Sequence, residues 1–573
     1  MPPTSPKITI NGVVREFKPG QMILQVANEG GVDIPQYCYH DGLSIVASCR
    51  ICLAEVWAPN PRNNNALEPL MGGKLMPTCQ TPCSDGMVVY TDSPKSVANQ
   101  KAVMEYLLIN HPLDCPVCDQ AGECTLQDFS YEYGRGVSRF EEQKVKQPKK
   151  DLGPHVYLYS DRCIMCTRCV RFTREVAGTS ELLVTGRGNK EEIDVFPGIA
   201  LDNELSANVV DLCPVGALLD KDFLFAQRVW FLKSTPSIDG ITASGDNIFV
   251  EHNEGKVYRI KPRTNAAVNK WWITDEVRYG WKHVQSDARL RSPMRRMHGV
   301  LAESDYSRAY DDALAGMEGA VRNGKRLLVM VSPMLSCEEA YLLGTLARSI
   351  DPKAVLAVGP VPMKGEDKTF PAGDANGFRM YAEKAPNARG VRRVLEAIAN
   401  GDASGGVQTY EEALRTLGHG SGTSDIGAVL LTGNYPSAWA TDELIDSLGG
   451  KFVTLIDTLG SSLVDAAAVV LPGATWMEKA GSFENARHML QHFEQAIPVI
   501  EMAKSEGQIA MDLAAHLRHD GKGAGKRASA MYNAAEVRRA MAASHSTLSV
   551  FITDVSVPAT GSLAEADMQV VEL

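Results

Sequence analysis

The residues with the most chemistry in this chain are its cysteines. Of 13, twelve lie between Cys38 and Cys213, and only Cys337 lies beyond. They fall into three sets. The tightest is Cys163-Ile-Met-Cys166-Thr-Arg-Cys169 with a remote Cys213-Pro214. A C-x2-C-x2-C run places three thiolates around one face of a cube, and a distant Cys-Pro completes a [4Fe–4S] site, as in bacterial ferredoxins. Zinc rarely takes three cysteines packed so closely. A second set is His111-Pro-Leu-Asp-Cys115-Pro-Val-Cys118, followed by Cys124. Three thiolates and an imidazole suit tetrahedral zinc and an iron–sulfur cluster alike. The remaining set, first in the chain, is Cys38, Cys49-Arg-Ile-Cys52, Cys79 and Cys83, five cysteines for four places. Its context favours a [2Fe–2S] cluster, with zinc as the alternative. Met1–Lys7 lacks the apolar core of a secretory signal, so a disulfide framework is the weaker reading.

The elements that must position these ligands are legible around them. Lys7–Ile10 and Val13–Phe17 alternate apolar and polar about Asn11-Gly12, which predicts a hairpin. A short helix is expected near Met22–Asn28, closed by Gly30-Gly31. A strand is expected over Cys52–Trp57, leading into a polar insertion from Pro59 to Gly73. Together these suggest a β-grasp domain. Residues 96–110 predict a helix with Val97, Val103, Leu107 and Leu108 on one side, and 161–176 and 214–228 predict short helices beside cysteines. From about Ser237 the character changes. Strand-like runs at Arg326–Ser332, Ala354–Val358, Ala428–Thr432, Phe452–Ile456 and Ala468–Leu471 alternate with helical stretches such as Glu338–Ser349. That alternation predicts an α/β domain with a parallel sheet. Residues 518–528 read as a flexible loop.

At 573 residues, 44% hydrophobic and 22% charged, the chain reads as a soluble protein of several domains. No apolar run approaches the roughly 18 residues that span a bilayer. A net charge of −11 argues against nucleic acid as a partner. The basic run Lys144–Lys150 reads as a solvated linker.

The front of the sequence resembles the large iron–sulfur subunit of respiratory complex I, the NADH:quinone oxidoreductase. The stretches that carry the resemblance include Ser48–Val56, Pro77–Pro82, Asn110–Asp128, Arg162–Phe172, Gly186–Gly188 and Glu204–Leu218. The back resembles molybdopterin oxidoreductases through Asp465–Asn485, but Thr235–Ser244 has no cysteine where catalytic relatives open with a cysteine cluster. The resemblance implies Cys38, Cys49, Cys52 and Cys79 for one [2Fe–2S] cluster, with Cys79 chosen over Cys83 by its Thr-Cys-x-Thr-Pro context. It implies His111, Cys115, Cys118 and Cys124 for one [4Fe–4S] cluster. By the same resemblance Cys163, Cys166, Cys169 and Cys213 hold the other.

The implied fold class is α+β and α/β multidomain. Residues 1–95 form a [2Fe–2S] ferredoxin-like β-grasp domain, and 96–150 a helical [4Fe–4S] segment with one histidine and three cysteine ligands. Residues 151–225 form a ferredoxin-like [4Fe–4S] domain, and 226–573 a degenerate molybdopterin-oxidoreductase-like domain with no molybdenum. The implied role is an electron carrier with no catalytic residue and no flavin of its own, one part of an oxidoreductase and translocase. Implied partners are a flavin-containing NADH-oxidising subunit, a small two-[4Fe–4S] ferredoxin-like subunit and other peripheral-arm subunits. The implied location is the cytoplasmic side of the bacterial inner membrane, without a membrane span. The alternative is the iron–sulfur chain of an NAD-linked formate dehydrogenase or hydrogenase. Cys337 reads as a buried structural thiol.

One further expectation concerns a missing cluster. In two-cluster ferredoxins each half carries C-x2-C-x2-C-x3-C-P and lends its fourth cysteine to the other half's cluster. Here the lost positions fall at Thr173, Asn203, Ser206 and Val209, together the full ligand set of one cluster. The unit is therefore expected to keep one cluster and to fill the second space with packed side chains.

Overall fold

A computed structural model describes residues 5–399, 406–418, 424–517 and 529–556. The stretch 518–528, expected as a loop, lies outside the described residues. The chain divides into two compact units, one of residues 1–232 with 370–377, the other made of the remainder.

The first unit opens with strands β1 (Lys7–Ile10) and β2 (Val13–Glu16), joined through Asn11 and Gly12 at φ 47° and 82°, the left-handed pair a tight hairpin turn requires. Helix α1 (Ile23–Glu29) buries Ile23, Leu24, Val26 and Ala27 against the sheet. The strands that follow are β3 (Leu53–Asn60), β4 (Ala66–Pro69), β5 (Met76–Pro77) and β6 (Met87–Tyr90). The sheet order is β2-β1-β6-β3-β4, with β5 also on β3 and a parallel β1–β6 pair at its centre. The Pro59–Gly73 stretch is thus part of the sheet rather than a bare insertion: Trp57–Asn60 pairs with Ala66–Pro69, so its polar residues sit on a solvated hairpin.

Helix α2 (Pro94–Leu108) starts at Ser93, whose hydroxyl accepts from the Ser96 amide, with Pro94 in the first position where no amide is needed. Helix α3 (Thr125–Tyr133) begins directly after Cys124. Strands β7 (Lys149–Asp151) and β8 (Val156–Tyr159) follow, then helix α4 (Arg168–Phe172), strands β9 (Leu182–Thr185) and β10 (Glu192–Val195), helix α5 (Asn208–Leu212) and strand β11 (Leu218–Asp220). β11-β8-β7 form one small sheet and β10-β9 another.

Three expectations are corrected here. The 161–176 helix is broken: Ser160–Arg162 is a single 3-10 turn, α4 starts only at Arg168, and Thr173–Ala177 is a π turn. Met165 and Thr167 stand at φ 52° and 56°, so the ligand loop cannot be helical. The 214–228 helix is absent; Leu218–Asp220 instead pairs with Val156–Leu158, burying Leu218 and Leu219. The basic run is no free linker. Lys144 Nζ donates to the Leu108 and Ile109 carbonyls at 2.7 and 2.8 Å, capping α2, and Lys150 pairs with Asp194 and Glu192.

The second unit begins with an antiparallel meander of Lys233–Ile238, Asn247–Asn253 and Lys256–Pro262. Its main sheet has seven strands, five of them parallel: Val355–Val358, Arg326–Val331, Ile426–Thr432, Phe452–Asp457 and Val469–Pro472 in spatial order. Leu327, Val329 and Val331 enter one hydrophobic cluster while Leu328 and Met330 enter another, so both faces are covered. Double coverage explains why these strands read as continuous apolar runs. Helix Cys337–Ile350 is opened by a capping box between Ser336 and Glu339. Among the described residues no helix is long and apolar enough to cross a membrane.

Candidate metal centres

The first set lies in the loop between α1 and β3 and on the segment after β5. Cys38, Cys52 and Cys79 are buried and Cys49 half-buried. The four thiols form a contact chain. Cys38 accepts from Cys49 and Cys79, which holds it well below the usual thiol range, and Cys79 is raised because it donates to Cys38 and also to Cys52. Cys52, on the accepting side, is lowered to about 6. Cys83 stands apart: burial alone pushes it up to about 11, and its amide is tied to the Gln21 carbonyl. The Thr-Cys-x-Thr-Pro pattern has a structural cause. The first amides of α1, Ile23 and Leu24, donate to the Thr81 and Thr78 carbonyls at 3.0 Å each, and the Thr78 hydroxyl donates to the Cys52 carbonyl. The helix terminus and the threonines thereby fix Cys79 beside Cys52.

In the second set Cys118 and Cys124 are buried, Cys115 is exposed and His111 half-buried. The three cysteines lie within each other's electrostatic reach. Burial, reinforced by the charges of Arg162 and Lys144, lowers His111 to about 4, which leaves its imidazole neutral, the form that ligates metal. Arg162, 2% exposed, donates to Asp114 at 2.9 Å in this loop. Arg228 holds the carbonyls of Cys118 and Pro116. Gly216 presses on the site: a Cβ there would stand 2.2 Å from Cys118 Sγ.

The third set is the most complete. Cys163, Cys166, Cys169 and Cys213 all line one cavity, together with Thr167, Arg168 and apolar side chains including Leu158, Ile193 and Val215. Burial raises all four thiols, Cys163 to about 12 and Cys213 to about 11. The amides of Val215, Ala217 and Leu218 oppose that shift at Cys213 by donating to its sulfur. Such amide bonds would tune a thiolate-ligated group.

The four positions read from the sequence as lost ligands are occupied by packed side chains. Thr173, Ser206 and Val209 are fully buried and Asn203 is 8% exposed. Asn203 Nδ2 donates to Glu181 at 2.6 Å, as does the Thr179 hydroxyl, and the Thr179 amide closes on the Thr173 carbonyl. Among the described residues, none of the three sets is a preformed site for a single ion. A cavity lined by four thiols and a chain of four thiols in contact suit a polynuclear iron–sulfur group held by thiolates.

In the second unit a cavity of about 380 Å³ lies at the carboxyl ends of the parallel strands, lined by His283, Tyr435, Trp439 and Asp457 among others. The Asp457 carboxylate already accepts from the Asn434 and Thr458 amides and from Trp439 Nε1. No thiol lines it. Cys337 is fully buried, with Sγ 3.4 Å from Asn387 Oδ1.

Comparison with known proteins follows this geometry. A family model described as a 2Fe-2S iron-sulfur cluster binding domain matches residues 5–94. The NADH-ubiquinone oxidoreductase-G iron-sulfur binding region matches 100–139, and the ferredoxin-like domain of NADH-quinone oxidoreductase subunit 3 matches 153–219. The 75 kDa subunit of NADH-ubiquinone oxidoreductase from Reclinomonas americana is 37% identical over 357 residues, 62% of this chain and 49% of that protein. An NADH-quinone oxidoreductase subunit from Rickettsia felis is 37% identical over 347 residues, 60% of this chain and 49% of its own length. The mitochondrial 78 kDa subunit of NADH-ubiquinone oxidoreductase from Neurospora crassa is 38% identical over 351 residues, 61% and 45%.

This chain is a relative of the large iron–sulfur subunit of NADH-quinone oxidoreductase. It spans about half the length of the curated relatives it matches. A solved NAD+-reducing [NiFe]-hydrogenase is 26% identical, with 39% of this chain and 92% of that one covered at a TM-score of 0.33. The back of this large-subunit relative also matches two family models, a NuoG-like 4Fe-4S domain over 232–282 and molybdopterin oxidoreductase over 396–516. Residues 232–282 contain no cysteine, so the stretch offers no thiolate ligand. The order of domains expected from the sequence is the order matched.

Proposed function

We propose that the chain is an electron-transfer subunit of an NADH:quinone oxidoreductase complex. In this reading Cys38, Cys49, Cys52 and Cys79 hold a [2Fe–2S] cluster. His111, Cys115, Cys118 and Cys124 hold one [4Fe–4S] cluster, and Cys163, Cys166, Cys169 and Cys213 hold a second. Bound clusters supply single-electron storage; the chain's own residues place them, exclude water and set their surroundings. The back unit carries no molybdenum and no flavin, and offers partner surface.

The observation that carries the reading is the linkage of the three ligand sets inside one compact unit. Arg171 Nη2 donates both to the Cys38 carbonyl of the first set and to the Cys166 carbonyl of the third. Arg162, next to Cys163 in sequence, donates to Gly216 beside Cys118 and to Asp114 in the second set. That supports electron flow from the first set through the third to the second. Cys115, exposed between Leu113 at 87% and Val117 at 57%, supports the second set as the exit toward a small ferredoxin-like partner. A flavin-bearing NADH-oxidising subunit would supply the first set, and the complex would sit on the cytoplasmic side of a bacterial inner membrane.

The test is reduction of the purified complex by NADH, followed by EPR. All three signals should appear, whereas the isolated chain should be reduced by dithionite and not by NADH. Reduction of the isolated chain by NADH, or stoichiometric molybdenum on it, would overturn the reading in favour of a formate dehydrogenase-type chain.

A further inference from the structure

Two arginines of α4 have no anionic partner. Arg171 is 3% exposed and Arg168 is partly buried, and neither forms an ion pair with a described residue. Their donors go to carbonyls. Arg171 gives Nη1 to Ser44 and Nη2 to Cys38 and Cys166. Arg168 gives Nη1 to Leu212, at 3.3 Å, and Nη2 to Tyr39. Each therefore ties a first-set residue or its neighbour (Cys38, Tyr39) to a third-set residue or its neighbour (Cys166, Leu212). In both, Nε is buried with no hydrogen-bond partner.

Burying a guanidinium is strongly unfavourable unless a negative charge compensates it. Here the candidates for that charge are the thiolate-ligated groups themselves: Arg168 lines the cavity formed with Cys163, Cys166, Cys169 and Cys213, and Arg171 sits on the Cys38 and Cys166 carbonyls. Glu175, one turn further on, is already engaged by Ser44 and Arg174.

We propose that Arg168 and Arg171 are shared positioning residues for the first and third clusters, fixing their separation and holding both reduction potentials up with permanent positive charge. The proposal rests on the cluster assignment above. Arginine suits the role because its fork reaches two carbonyls at once and cannot lose its proton. Each added electron increases the negative charge beside the pair, so the reduced state gains more from it than the oxidised state. Arg162, which has Asp114 as a partner, is not part of this device.

The test is a redox titration of the intact complex by EPR, with Arg171→Gln and Arg168→Gln against the parent. Both variants should lower the midpoint potentials of the [2Fe–2S] signal and of the Cys213-ligated [4Fe–4S] signal, leaving the His111-ligated signal in place as the internal reference. Arg171→Lys, which keeps the charge and loses the fork, should restore part of the shift. If Arg171→Gln fails to assemble, Arg171→Lys and Arg168→Gln decide on the same readout. Unchanged potentials with all clusters present, or an equal shift of all three signals, would overturn the proposal. Absence of the three signals from the parent would instead overturn the cluster assignment.

Discussion

Gly216→Ala is the sharpest probe of the second centre. Gly216 follows the third-set ligand Cys213 by three residues, yet what it touches belongs to the second set. A Cβ at 216 would stand 2.2 Å from Cys118 Sγ, 3.1 Å from Gln120 Cβ and 3.9 Å from Arg162 Cδ. Ordinary contact starts near 3.4 Å, so Cys118 would have to retreat by more than about 1 Å, whereas ligand distances at a metal site tolerate roughly 0.2 Å. The Cys118 backbone is also tied in place, since Arg228 donates to its carbonyl at 2.9 Å. Overpacking of this kind costs ~1–3 kcal/mol. The assay is EPR of the dithionite-reduced protein together with a melt of the holoprotein. The expected result is loss of the His111-ligated [4Fe–4S] signal, retention of the other two, and a melting temperature lower by roughly 2–4 °C per kcal/mol. Gly136→Ala, where a Cβ meets nothing within 4 Å, serves as the control. A Gly216→Ala protein with all three signals and an unchanged melt would refute the claim that Gly216 exists to admit Cys118.

Three further substitutions test the ligand sets. His111→Ala should remove or convert one [4Fe–4S] signal and leave the [2Fe–2S] signal intact; an unchanged spectrum would exclude His111 as a ligand. Cys79→Ser should abolish the [2Fe–2S] signal while Cys83→Ser keeps it, because Cys79 touches both Cys38 and Cys52 and Cys83 touches neither; the reverse pattern, read by EPR, would exchange their roles.

Candidate ligand sets could be listed from the sequence because ligation demands fixed side-chain types at fixed spacing, and the parallel strands were legible because burial on both faces leaves apolar runs such as Leu327–Val331. The helices beside the ligand loops were not. Pro214 suits a helix start, but strand pairing of Leu218–Asp220 with β8 outweighs local propensity, and left-handed Met165 and Thr167 interrupt a periodicity that looked helical. Nor does any spacing mark Arg168 and Arg171. Their acceptors at Tyr39 and Cys38 lie about 130 residues away, a contact that only the tertiary structure creates. The burial of Thr173, Asn203, Ser206 and Val209 agrees with side chains packed at the four positions that can be counted from the neighbouring cysteines.

The central claim is three clusters, one [2Fe–2S] and two [4Fe–4S], in the front of the chain. Iron analysis of the anaerobically purified protein, paired with Mössbauer spectra to separate the two cluster types, tests it most directly. The account predicts about ten irons per chain, two in a [2Fe–2S] and eight in [4Fe–4S] form. Zinc in place of iron, or about fourteen irons with a third [4Fe–4S] component, would contradict it.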